Sequence, residues 1–148
     1  MSLPQRNPRL LSLEQLKQMI DSGAVDTVVI AFTDMQGRLQ GKRLHAAFFM
    51  DVVLDSGVEG CNYLLGVDVD MNTVEGYAMT SWEQGYGDME FVLDLDTIRL
   101  LPHVPGSVMV QCDLAWPSHD GAEHRPVVQS PRSILAAQVQ TPNGIVRI

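Results

Sequence analysis

Residues 51–100 of this 148-residue chain hold eleven Asp and Glu against one basic residue, Arg99. Inside that acidic third, Glu75, Tyr77 and Trp82 fall in a run from Asn72 to Gly87 that has three glycines, two tyrosines and no sustained periodicity. Such a run reads as one long loop, and loops beyond about 12–15 residues in a compact domain are usually functional or disordered. The aromatic side chains argue against simple disorder, because they need something to pack on. A loop carboxylate such as Glu75 can bind a cation or accept a proton; the plainer alternative is one more solvated acid that keeps the protein soluble. A field of this sign repels phosphate backbones and draws in ammonium or an amine, so no nucleic-acid partner is expected.

Other groupings offer less. Asp68-Val69-Asp70-Met71-Asn72 is similar to a calcium loop, but Thr73 stands where the sixth-position glycine is required and Met79 where the bidentate glutamate is required. Gly85-Tyr86-Gly87-Asp88-Met89-Glu90 lacks the last glycine of a dinucleotide fingerprint, and no Gly-Lys-Ser/Thr phosphate loop occurs. Nothing in this chain is expected to bind ATP by itself. His119 and His124 are spaced wrongly for one helical face and read as a solvated hairpin tip. Cys61 and Cys112 have neither disulfide-framework nor zinc spacing, so no metal is expected and a reduced cytoplasm fits.

The length and the 45% hydrophobic content suit one globular core. No run approaches the ~20 apolar residues of a membrane span, and the first residues lack a signal-peptide core. The net charge is −8.

The elements that must carry the loop follow from local pattern. Ser12 and Gln15 form a capping box, with Leu11 and Leu16 at the staple positions, and predict a helix over 13–21 that Gly23 ends. Val25 to Phe32 predicts a central strand, Asp34 to Gly37 a turn, Arg38 to Leu44 a partner strand, and Ala46 to Leu54 a helix stopped at Gly57. Alternation from Tyr63 to Met71 predicts another strand. Phe91–Leu93, Thr97–Leu101 and Ser107–Leu114 predict three more, and Ser130-Pro131 a helix start. The order is α+β, a β-grasp-like mixed sheet with two helices packed on it.

Gly85-Tyr86-Gly87-Asp88-Met89, Asp96-Thr97-Ile98-Arg99, Leu101-Pro102, Cys112-Asp113-Leu114 and Ser130-Pro131-Arg132, with Phe32-Thr33-Asp34-Met35-Gln36-Gly37 upstream, succeed one another as in the N-terminal domain of the glutamine synthetase family. The resemblance covers roughly residues 12–140. It implies an N-terminal extension over 1–11, a β-grasp domain over 12–130, and over 131–148 the start of a linker helix with a divergent tail. The family's catalytic domain is expected to be missing, and Thr141-Pro142-Asn143-Gly144 is expected to stop the last helix, as in a truncation or frame change near Gln140. In bacterial glutamine synthetases this domain lends an Asp-Gly-Ser-Ser loop, with a tryptophan seven residues after the aspartate, to a neighbouring subunit's active site. Counting back from Trp82 puts Glu75 at the carboxylate position, as the catalytic residue, with Trp82 and Tyr77 binding substrate. Tyr77 and Ala78 replace the two serines, which is similar to the branch that joins glutamate to organic amines. The resemblance implies ATP and Mg²⁺ or Mn²⁺ for the complete enzyme, a catalytic domain or neighbouring subunits as partners, and a homo-oligomer. The contrasting expectation is a free-standing module that self-associates or pairs with full-length subunits.

Overall fold

Ser12 caps the first helix, α1 (Leu13–Asp21), as the sequence predicts: its hydroxyl accepts the Gln15 N–H at 3.1 Å, and the Gln15 side chain accepts the Ser12 N–H at 2.8 Å. The computed structural model describes residues 10–76, 87–117 and 125–139. Gly23, at φ +75°, turns the chain out of α1, whose Leu16 is completely buried. Burying a side chain of this size contributes about 1.5–3 kcal/mol.

The sheet runs β2 (Leu39–His45), β1 (Thr27–Thr33), β5 (Ser107–Trp116), β4 (Asp88–Leu100), β3 (Glu59–Cys61), and β6 (Arg125–Pro126) pairs with β5. It is mixed: β1 and β5 are parallel, with Thr27 opposite Ser107 and Ala31 opposite Gln111, whereas β3–β4 and β5–β6 are antiparallel. With helices beside such a sheet, the α+β, β-grasp-like expectation holds.

The chain divides into two compact units. One comprises residues 1–31, 41–57 and 93–112, and the other 32–40, 58–92 and 113–148. In the first, Val28, Ile30, Val108, Val110 and Cys112 are fully buried, which is why both strands read as nearly continuous apolar runs. Gly41 lies so close to Ile30 that an added Cβ would strike the Ile30 carbonyl oxygen, so β2 can approach β1 only with glycine there. The helix predicted over Ala46–Leu54 runs over 46–56 as α2 (Ala46–Phe48), a π-helical stretch (Phe49–Val53) and α3 (Leu54–Ser56). Phe49 and Val53 supply its buried face, and Gly57 at φ +72° ends it.

Two strand predictions need correction. Tyr63–Met71 is not a strand: Asn62–Leu65 is a 3₁₀ turn, and the residues after it fold back so that Val67 bridges Thr73. Asp68 is responsible, because its side chain captures the N–H groups of Asp70 and Asn72 at 2.9 Å each, which ladder pairing would otherwise need. Phe91–Leu93 and Thr97–Leu100 are parts of the single strand β4, and Leu101 lies just beyond its end. Its buried positions change parity between Phe91 and Ile98, as one extra residue in a strand would cause. There the Thr97 hydroxyl donates to the Asp94 carbonyl (2.6 Å) and accepts the Gln111 N–H (2.8 Å).

In the second unit the core is Phe32, Leu65, Val67, Met89, Phe91, Leu114 and Val127. Phe32 and Phe91 meet with tilted rings 5.4 Å apart. Helix α4 (Pro131–Val139) starts where Ser130-Pro131 predicts, with the Ser130 carbonyl accepting the Ile134 N–H at 3.0 Å. The predicted helix stop over 141–144 lies outside the described residues.

Candidate active-site loop

Both flanks of the candidate loop, residues 66–76 and Gly87, lie in the second unit, and their supports begin with a residue that the sequence reading placed in the turn over 34–37. Asp34 is buried without measurable exposure at the end of β1. One carboxylate oxygen accepts the N–H groups of Gln36 (3.0 Å) and Arg38 (2.8 Å); the other accepts Arg38 Nε (2.8 Å) and Gln40 Nε2 (3.1 Å). Burial pushes its pKa up, but these bonds together outweigh that and hold the carboxyl below the usual carboxylate range. A buried carboxylate is tolerable only with such complete pairing.

With Nε on Asp34, the Arg38 fork points its remaining nitrogens at two consecutive carbonyls, Nη1 donating to Val69 at 2.6 Å and Nη2 to Asp68 at 3.0 Å. Gln36 Nε2 donates to the Val67 carbonyl at 2.8 Å. The turn of the β1–β2 connection therefore holds three successive carbonyls of the 66–74 segment. That segment is also closed on itself: the Val74 N–H donates to the Gly66 carbonyl at 2.9 Å, and Met71 sits at φ +66°. The Asp68 carboxyl lies below its ordinary range, chiefly because it accepts the Asn72 backbone and side-chain N–H groups. Its oxygens serve its own loop.

Glu75 follows immediately, exposed, with Gly76 at φ +94° turning the chain after it. Tyr77 and Trp82 lie outside the described residues. The chain is again held at Gly87, whose carbonyl accepts the Asn62 N–H (2.9 Å) and whose N–H donates to Asn62 Oδ1 (3.2 Å). Asn62 opens the 3₁₀ turn that Gly66 closes, so both feet of the loop stand on the two ends of one four-residue turn. Leu65, 2% exposed, fixes that turn in the core.

Elsewhere in this unit, Arg132 Nε donates to Asp113 Oδ1 at 2.7 Å, which joins β5 to the start of α4. The pair stands beside an apolar cavity of about 280 Å³ lined by Val92, Leu114, Ala115, Pro126, Ser133 and Ala136. Among the described residues, no three His, Cys, Asp or Glu side chains are grouped to hold a metal ion, and no helix is long and apolar enough to cross a membrane.

Sequence reasoning missed the Asp34–Arg38 pair and the Asn62 foot. The available signal for the first was an acid two residues after the apolar run Val28 to Phe32, with an arginine four residues on across a glycine turn.

The arrangement is a sheet domain with an exposed carboxylate, Glu75, just beyond a segment held by Gln36 and Arg38, and the chain is held again at Gly87. A solved structure of a glutamine synthase homolog shares its fold, with a TM-score of 0.59 and 23% identity over 78% of this chain and 26% of that one. No protein-family model matches the chain. The γ-glutamylethanolamide synthetase GlnA4 of Streptomyces coelicolor is 55% identical to it over 130 residues, 88% of this chain and 27% of that protein. A glutamate–isopropylamine ligase of a Pseudomonas species is 29% identical over 126 residues, 85% of this chain and 26% of the ligase. The chain thus spans about a quarter of the length of the curated relatives it matches. It belongs to the glutamine synthetase family, where it corresponds to the N-terminal domain of γ-glutamylamine ligases.

Proposed function

We propose that this chain serves as the N-terminal domain of an ATP-dependent ligase joining glutamate to an organic amine, and that its 72–87 loop brings Glu75 to the amine site of a neighbouring subunit. The observation that carries the reading is the 55% identity to a γ-glutamylethanolamide synthetase over a stretch that includes the loop and its supports. A carboxylate beside a protonated amine binds the cation and then takes its proton, which frees the nitrogen lone pair to attack the acyl carbon as phosphate leaves. Glu75 is exposed on a pinned loop, as such a role requires. Val69, Met71 and Val74 are also exposed ahead of it, an apolar surface suited to an alkyl chain more than to ammonium. Among the described residues, no three His, Cys, Asp or Glu side chains are grouped as a ligand set for Mg²⁺ or Mn²⁺. ATP, the metal and the glutamate site belong, on this reading, to the catalytic domain.

The test is a chimera in which this chain replaces the 130 aligned residues of the Streptomyces synthetase. With ATP, Mg²⁺ and glutamate it is expected to form γ-glutamyl amides, with kcat/KM at least about tenfold higher for ethanolamine or a small alkylamine than for ammonia. A folded chimera that prefers ammonia would contradict the reading.

A further inference from the structure

We infer that Arg38, held by the buried Asp34, is a positioning residue for the amine site: it fixes the near foot of the Glu75 loop. This rests on the reading of Glu75 given above. Arg38 does not itself reach the reacting atoms; it acts through the backbone. Its guanidinium is committed on one edge to Asp34 Oδ2 and on the other to the carbonyls of Asp68 and Val69. Gln36 adds the Val67 carbonyl, and Gln40, also bonded to Asp34, reaches Met71 Sδ at 3.3 Å. Through the Val67–Thr73 bridge and the Val74-to-Gly66 hydrogen bond, this grip ends one residue before Glu75. Arginine is required because a planar fork can hold a carboxylate and two carbonyls at once, whereas a lysine ammonium is a single point. A carboxylate that acts as base must be placed within tenths of an ångström, so a loosened foot should reduce amine use before it affects substrates bound elsewhere.

The measurement compares Arg38→Lys, Gln36→Leu and Glu75→Ala in the chimera. Gln36 is exposed, so Gln36→Leu removes one carbonyl anchor with little risk to folding. For Arg38→Lys we expect kcat/KM for the amine to fall about 10- to 100-fold while KM for ATP and glutamate stays within about twofold. Gln36→Leu should fall in the same direction, by less. In the chain itself, amide exchange at Asp68, Met71 and Val74 should quicken in Arg38→Lys while exchange in β1 and β5 is unchanged. Amine kinetics unchanged in both variants, or a loss shared equally by amine, ATP and glutamate, would overturn the inference. If Glu75→Ala keeps full turnover, the reading of Glu75 itself fails; if Glu75→Ala is inactive while Arg38→Lys retains wild-type amine kinetics, only the positioning role fails.

Discussion

Asp34 shows how much one side chain can hold when four donors converge on it. Removing it strands the Arg38 fork and the Gln40 amide, and removing Arg38 leaves a buried carboxylate short of its cation. Asp34→Ala should therefore destabilise the domain by about 2–4 kcal/mol, slightly below the usual cost of breaking a fully buried pair because the Arg38 side chain keeps 30% exposure. Thermal or urea unfolding measures this, and a loss under ~1 kcal/mol would mean the pair is not a structural anchor. The pH dependence has a definite sign. The folded pKa of Asp34 lies below its ordinary value, so its stabilisation is present above the ordinary carboxylate range and is lost as pH falls through the folded value. The contribution should be flat from pH 7 to about 5, begin to fall near the ordinary carboxylate value of about 4 and be lost only as pH passes the lower folded value, and Asp34→Ala should abolish that part of the acid transition.

At the scale of elements, the chain is held on both sides of residues 77–86, at Val74 and at Gly87. Asn62 is 6% exposed and exchanges two hydrogen bonds with Gly87, one of them through its side chain. Asn62→Ala should cost about 1–2 kcal/mol for the amide left unpaired, and should speed amide exchange at Gly87 while leaving Val74 protected. Equal loosening at both feet would show that they are not independent. The elements that local chemistry determines were legible in sequence: the Ser12/Gln15 box set α1, the apolar runs set β1 and β5, and Ser130-Pro131 set α4. The 62–74 segment was not, because alternation from Tyr63 to Met71 imitates a strand while Asp68 takes up the backbone N–H groups locally. The halves of β4 read as separate strands because the Asp94 to Thr97 irregularity shifts the parity of its buried positions. The Asp34 network was legible only in part: Gln36, Arg38 and Gln40 lie within six residues of Asp34, but the carbonyls of Val67, Asp68 and Val69 that Gln36 and Arg38 reach lie about thirty residues away, and no local pattern encodes that pairing. Glu75 as a candidate came from the count back from Trp82, not from any feature of burial.

For the whole molecule, charge and family agree. An acidic middle third favours an approaching ammonium over a phosphate, and the relatives named above join glutamate to amines. The central claim is that this domain supplies the carboxylate that deprotonates the amine. It is tested most directly by the turnover of Glu75→Gln in the chimera at saturating ATP, glutamate and ethanolamine, measured beside its melting temperature. Glutamine keeps the shape and loses the proton acceptor, so kcat should fall by roughly 10²–10⁴-fold, while stability should shift by no more than about 0.5 kcal/mol because the side chain is exposed. Wild-type turnover in Glu75→Gln would contradict the claim and return Glu75 to the solvated acidic surface.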